Sequence, residues 1–531
     1  MDGKFVGIQF GCAIVAVVVV LAFLPLEVRA LVVSVDPAKM PRIGTVDKRF
    51  LSYNIEMAEV TGGNFWKPYG TKTPAAKHVT RVGQSASTPA GMDPNLYEYR
   101  QPIDLSNPRL RKLASALGPA YVRVSGTWAN SVYFANSDNP PDEAPAGFSG
   151  VLTRKEWKGV IDFVHAVNGE LVTSFATSVG TRNAQGLWTP KEAEAWLAYT
   201  KSVGGWIAAA EFMNEPTYAA MGGAPKGYDA ADYGRDTGVF GPWLKQNSPD
   251  TVFLGPGSVG EGPFAIEMGG VLRSGDLLRA TGPAFDIFSY HLYAAASQRC
   301  ASMGEKFQTT AATALSEEWL SRPEKIDEYY ASLRNHFEAG KPLWITETAD
   351  AACGGNPWAS TFLDTFRYLI EHASLARPGV KVIMHNTLAA SDYGLLDQNT
   401  LEPRPNYWAS VIWHKLMGTT VLDPQVSVSP NVYVYAQCLA RRPGGVTLLI
   451  INADRQHSFD LDLPTASERY ALTAKNLEGT TVELNGKPLR LTNSGDLPQF
   501  RGEPISAGRV SFAPTSITYE SIANAGNANC Q

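Results

Sequence analysis

The chain has 531 residues, with 46 Lys+Arg against 51 Asp+Glu, a formal net charge of −5, and 44% hydrophobic but only 18% charged residues. Such a chain buries a large core, which excludes a disordered protein and a collagen-like or coiled-coil filament. The near balance of charge argues against a nucleic-acid binder that works through a general basic field, and the length fits two or more domains or one large barrel with an appendage.

Residues 1–30 read as an export signal: Lys4, an apolar run from Ala13 to Leu26, then Val28-Arg29-Ala30, whose small residues suit signal peptidase. A secreted or periplasmic protein is expected. An uncleaved anchor counted from Phe5 to Leu26 is the alternative, and would add a membrane as partner; Gly7, Gln9 and Gly11 interrupt it. Four cysteines remain after the signal, Cys300, Cys353, Cys438 and Cys530, an even number that suits an oxidising compartment. Three pairings are possible. Cys438 and Cys530 both fall in the β-rich C-terminal region, which favours that bridge with Cys300–Cys353 as the second; four buried thiols are the alternative.

From residue 50 to 418, short β-branched or aromatic runs alternate with amphipathic helical patterns in eight pairs. The strand candidates are Phe50–Ile55, Tyr121–Val124, Leu171–Ala176, Trp206–Met213, Thr251–Leu254, Phe285–Tyr290, Leu343–Thr346 and Val380–Met384. Most are continuous apolar runs, as parallel strands covered on both faces require. Asn107-Pro108 opens a helix that Gly118 ends. Thr153 with Glu156, and Thr189 with Glu192 around Pro190, read as capping boxes, and Gly418 closes the last helix. Eight βα units predict an α/β fold, a (β/α)8 TIM barrel over 50–418, with a doubly wound open sheet as the alternative.

After Gly418, strands separated by turn signals follow at Val432–Ala436, Val446–Ile451, Phe459–Leu463, Ala471–Asn476 and Val510–Ile517. They predict a C-terminal antiparallel β-sandwich over 419–531, joined by an N-terminal strand within 31–49. Two long loops, 59–106 after strand one and 136–150 after strand two, are expected at the C-terminal mouth of the barrel, where active sites form.

The strongest chemical signal is Phe212-Met213-Asn214-Glu215-Pro216 after strand four, paired with Trp344-Ile345-Thr346-Glu347-Thr348 on strand seven. A carboxyl at the end of an apolar barrel strand is partly desolvated, so its pKa rises and it can act as a general acid. A second one three strands away faces it. Cleavage of a glycosidic bond needs such a pair, which assigns Glu215 as acid/base and Glu347 as nucleophile, with about 5 to 5.5 Å between carboxyl groups if configuration is retained. Two unrelated helix-capping carboxylates are the bland alternative.

Further motifs narrow the likeness. Phe50-Leu51-Ser52, Ala120-Tyr121-Val122-Arg123 with Gly126-Thr127, Tyr393 through Asp397, Pro405-Asn406-Tyr407-Trp408 and Lys415 through Thr419 resemble the strands one, two and eight and the last helix of heparanase-type enzymes, glycoside hydrolase family 79. The resemblance implies a retaining hydrolase that binds β-linked glucuronic acid. Asn214 would then hold the sugar 2-hydroxyl, Glu56 and Thr127 other hydroxyls, and Tyr393 with the amides of Gly354 and Gly355 the uronate carboxylate. Tyr293 would hydrogen-bond the nucleophile; His291 reads equally as a core histidine. Glu56 stands where the family has a shorter Asp, and the Cys353-Gly354-Gly355 loop is one residue longer. Only a short loop follows Phe134, so no counterpart of the excised segment of animal heparanase is expected.

Gly255-Pro256-Gly257-Ser258-Val259-Gly260 matches a dinucleotide-binding pattern, but Pro256 removes an amide from the phosphate turn, and the stretch reads as the loop after strand five. The eight histidines show no metal spacing, so neither metal nor other cofactor is expected. Trp66, Trp128, Trp188 and Trp358 are candidates for stacking on sugar rings. The leading expectation is a secreted exo-β-glucuronidase with a carbohydrate as partner and no nucleic acid. Endo cleavage of heparan sulfate, for which Lys67, Lys72, Lys77 and Arg81 offer cations, an exo-glycosidase for a neutral sugar, and an inactive carbohydrate-binding protein stay open.

Overall fold

A computed structural model of the chain describes residues 1–3, 7, 33–70, 88–264, 271–303 and 307–531. Residues 4–6 and 8–30 of the expected export signal, and Lys72, Lys77 and Arg81, lie outside the described residues. All elements below belong to one unit, residues 33–531.

Eight parallel strands close into a barrel in chain order: β1 (Leu51–Glu56), β2 (Tyr121–Ser125), β3 (Glu170–Ser174), β4 (Ile207–Glu211), β5 (Val252–Ser258), β6 (Ile287–Tyr293), β7 (Leu343–Ala349) and β8 (Val380–His385). Behind them run α1 (Pro108–Ser115), α2 (Arg154–Ala166), α3 (Lys191–Ser202), α4 (Ala230–Asn247), α5 (Ser274–Thr281), α6 (Arg322–Phe337), α7 (Phe362–Ala376) and α8 (Pro405–Leu416). Strands β5 to β7 run three or four residues past their apolar runs, because the ladder continues into polar ends that line the mouth. The Gly255–Gly260 motif therefore begins inside β5 rather than in a loop.

Asn107 accepts the amides of Arg109 and Leu110, and Thr153 with Glu156 forms the capping box of α2. The second expected box is absent: the Thr189 hydroxyl donates to the Thr181 carbonyl and Glu192 accepts the Phe134 amide, so tertiary partners outcompete the local cap. Gly418 does not end α8. It lies in the strand Met417–Leu422, where a Cβ would come 2.6 Å from the Cys438 carbonyl oxygen.

The C-terminal strands form a nine-stranded sheet and a three-stranded one. Val33–Ser34 enters the small sheet beside Phe459–Leu463, in parallel, and Arg42–Thr45 enters the large sheet beside Met417–Leu422. The stretch expected as one strand at 510–517 is two, Gly508–Phe512 in the small sheet and Ser516–Ile522 in the large. The chain switches sheets at Ala513-Pro514-Thr515, a break the β-rich composition hides. Val434, Leu448 and Ile450 of one sheet pack on Leu461, Val510 and Phe512 of the other. Cys438–Cys530 and Cys300–Cys353 are both joined as disulfides. The opposite face of the large sheet shares a core with α8, where the Thr447 hydroxyl donates to the Leu416 carbonyl at 2.8 Å.

Inside the barrel, Val172, Ala209, Leu254, Trp344, Val382 and Met384 fill the lower half with apolar side chains. Two residues beyond Val172, Ala209, Trp344 and Met384 stand polar residues: Ser174, Glu211, Thr346 and, just past β8, Asn386. This change from apolar plug to polar layer sets the depth of the site.

Candidate active site

The polar layer is organised by Arg123, which β2 projects inward two residues after Tyr121. Its guanidinium donates to Glu211 Oε2 at 2.8 and 3.1 Å, to Glu347 Oε2 at 3.0 Å and to Asn214 Oδ1 at 2.7 Å. All four residues are buried. Burial works against the Arg123 charge, but Glu211 and Glu347 beside it hold its pKa above the usual arginine value. Glu211 is also bonded by the Thr346 and Ser289 hydroxyls; burial opposes its ionisation, yet Arg123 keeps its carboxyl below the usual range.

Glu347 reaches the cavity through a break in the alternation of β7. Thr346 bonds Glu211 and the adjacent Glu347 bonds Arg123, so consecutive residues both face inward. The pairing with β8 shifts register between Ile345 and Thr348, and that with β6 between Tyr290 and His291. Such bulges re-aim side chains beside active sites. The Tyr293 phenol donates to Glu347 Oε1 at 2.6 Å.

Glu215 stands four residues beyond the end of β4 in a left-handed conformation, φ 48° and ψ 61°, which Pro216 follows. Burial pushes its carboxyl up to about 7, with Glu211 adding to the effect and Arg123 opposing it. His291 Nδ1 lies 3.0 Å from Glu215 Oε1 and 3.7 Å from Glu347 Oε2, while its Nε2 faces the Arg123 guanidinium at 3.3 Å. A guanidinium only donates, so Nε2 accepts. Burial lowers the imidazole pKa to about 4, so the neutral ring carries its proton on Nδ1 and donates it between the two carboxyls. Among the described residues, Glu215, His291 and Glu347 have donor atoms close enough to share one cation, all within 4.8 Å of one another. The positive charge beside them is Arg123.

A fourth carboxyl, Glu56 at the end of β1, closes the group. Asn386 Nδ2 donates to Glu56 Oε1 at 3.0 Å and lies 3.2 to 3.3 Å from the Tyr293 and Tyr393 hydroxyls and Glu347 Oε1. Burial, and then the charge of Glu347, raise the Glu56 pKa well above the usual carboxyl value. The longer side chain fits because residue 126 is glycine: at its φ of 97°, an added Cβ would sit 1.6 Å from Glu56 Oε2.

Of the residues singled out from the sequence, Glu56, Thr127, Glu215, Tyr293, Glu347 and Tyr393 line one cavity of about 90 Å³. Asn214 stands behind it on Arg123. Gly354 and Gly355 do not line it; Ala352 and Cys353 form that wall, and Arg299 takes the carbonyls of Cys353 and Gly355. Trp66 and Trp128 line the cavity, whereas Trp188 and Trp358 are 2% and 4% exposed and belong to the core. Lys67 is not in the lining. Sequence reading missed Arg123 and Glu211 as site residues, and Asn386 altogether. The signal for the first two was a charge inside an otherwise apolar strand, which demands a buried partner.

No model of a known protein family matches the chain. Heparanase-like protein 1 of Arabidopsis thaliana is 27% identical, over 81% of this chain and 86% of its own. Baicalin-beta-D-glucuronidase of Scutellaria baicalensis is 25% identical, over 78% and 83%. Among solved structures, a 4-O-alpha-L-rhamnosyl-beta-D-glucuronidase from Fusarium oxysporum superposes with a TM-score of 0.58 at 13% identity, covering 92% of this chain and 99% of that one, which shows the shared barrel fold. These relatives, matched over about four fifths of the chain, are heparanase-like proteins and a β-glucuronidase, and the chain is similar to the heparanase-type enzymes of glycoside hydrolase family 79.

Proposed function

We propose that the protein is a retaining exo-β-glucuronidase. The observation that carries this reading is the separation of Glu215 and Glu347, whose facing oxygens lie within 4.8 Å with His291 between them. An inverting pair stands about 6.5 to 9.5 Å apart to admit a water. In this reading Glu347, held in place by hydrogen bonds from Arg123 and Tyr293, attacks the anomeric carbon as Glu215 delivers a proton to the departing oxygen. Water then attacks the glycosyl-enzyme with Glu215 as base. The Asn214 carbonyl oxygen is held by Arg123, which leaves its NH2 to donate to the sugar 2-hydroxyl. Tyr393, Asn386 and protonated Glu56 supply neutral donors toward a carboxylate or hydroxyl. Exo action is favoured by Trp66, Pro89 and Met92, which the long loop after β1 contributes to the cavity wall. Export to an oxidising compartment is supported by the two disulfides.

The test is hydrolysis of an aryl β-glucuronide, with the anomer formed first followed by NMR, beside size analysis of heparan sulfate. The β-anomer of free glucuronic acid is expected. The α-anomer would overturn retention, and shortened heparan sulfate without free glucuronate would overturn exo action.

A further inference from the structure

A second cavity, of about 280 Å³, adjoins the first and shares Pro89, Thr127, Trp128 and Met221 with it. We infer that this second cavity is a leaving-group subsite built for a flat, uncharged aromatic aglycone. The inference rests on the glycosidase reading of the first cavity and deepens it.

The position follows from the chain. Met221 belongs to the short helix Pro216–Gly222 that begins at Glu215, so the second cavity opens on the side from which the acid protonates the departing oxygen. The chemistry follows from the walls. Trp128 and Met221 form the shared boundary, and Phe148 and Val179 lie beyond it. Their faces are apolar, the polar side chains among them are the hydroxyls of Thr88, Thr127, Ser131 and Ser149, and none of the described residues that line this cavity is ionisable. An aromatic ring gains by stacking on Trp128 and Phe148, and its phenolic groups have hydroxyl partners at the edge. A sulfated sugar would exchange water for these surfaces with no cation among the described lining residues to meet it.

The walls are also set in advance. Gly147 and Gly180 interlock, with the Gly180 amide donating to the Gly147 carbonyl at 3.2 Å, and an added Cβ at Gly180 would come 2.3 Å from the Phe148 ring. Tyr133 backs that ring with centroids 5.3 Å apart. Val179 stays 49% exposed, a large apolar side chain at the open edge. A fixed surface loses little freedom on binding, so what it contacts is gained as affinity.

The full chain is assayed with phenyl β-glucuronide and with the β-glucuronide of a three-ring phenol of matched acidity, in the wild type, Phe148→Ala and Val179→Asp. The three-ring substrate should be favoured in kcat/KM by about tenfold, and both variants should shrink that ratio. Val179 is exposed, so its variant keeps the test valid if Phe148→Ala fails to fold. Equal kcat/KM in the wild type, or an unchanged ratio in the folded variants, overturns the subsite. If neither glucuronide is cleaved, the sugar assignment fails. Calorimetric binding of the free three-ring phenol to wild type and Val179→Asp then decides the subsite: binding weakened by the variant supports it, and no binding overturns it.

Discussion

His291 Nδ1 donates to Glu215 Oε1 over 3.0 Å, and it does so because Arg123 occupies the other side of the ring. With Oε1 engaged as acceptor, a proton on Glu215 resides on the other oxygen, so the imidazole acts as a positioning residue for acid catalysis. His291→Asn keeps an N–H near Nδ1, whereas His291→Gln and His291→Leu do not. The latter two should lose about 10²-fold in kcat/KM on glucuronides with poor leaving groups and only a few-fold on activated aryl ones. His291→Asn should lie between. The slope of log kcat/KM against leaving-group pKa measures this; equal losses across the series would indicate a merely structural role.

In the proposed mechanism Glu215 must be protonated for the first step, and its folded-state pKa is raised to about 7. Below that value the acid is intact, and above it the carboxyl ionises. The pH profile of kcat/KM should therefore fall as pH rises through about 7, and Glu215→Gln should lack that limb along with most of the activity.

Arg123 is the single buried cation between Glu211 and Glu347, at side-chain exposures of 1%, 1% and 8%. Arg123→Met leaves two buried carboxylates facing each other and should cost about 3 to 5 kcal/mol in denaturant unfolding. The double variant Arg123→Met/Glu211→Leu should recover part of that stability. It should not recover turnover, because Glu347, the proposed nucleophile, still lacks the hydrogen bond from Arg123 that orients it.

Gly126 and Glu56 are matched across β2 and β1. Gly126→Ala should lower kcat/KM by at least about tenfold, since the Cβ displaces the Glu56 carboxyl and the residue keeps a left-handed φ. Adding Glu56→Asp, which retracts the carboxyl, should return part of the loss. No recovery would mean that backbone strain alone explains the defect.

Much of the fold was legible because buried parallel strands write themselves as apolar runs and helix starts carry caps such as Asn107 and Thr153. Strand ends were less legible: β5 to β7 continue through polar residues whose pairing is satisfied by neighbouring strands rather than by local preference. The Thr189–Glu192 box and the 510–517 strand failed for the same reason, since distant partners took the groups a local reading had assigned. Glu215 and Glu347 stood out as acids at the ends of apolar runs. Asn386, an amide after β8 with no local pattern, did not.

The sequence by itself determined the class of fold, the two candidate glutamates and the likeness to heparanase-type enzymes, because residue order dictates strand and helix periodicity and motifs survive as short strings. Only the tertiary structure decided how the charges are shared. That Arg123 keeps Glu211 below the usual carboxyl range, that burial raises Glu215, and that Nδ1 of His291 holds the proton depend on distances of about 3 Å between residues as far apart in the chain as 123 and 291. Coulombic and desolvation energies vary steeply with those distances and with exclusion of water, and neither is written in the order of residues.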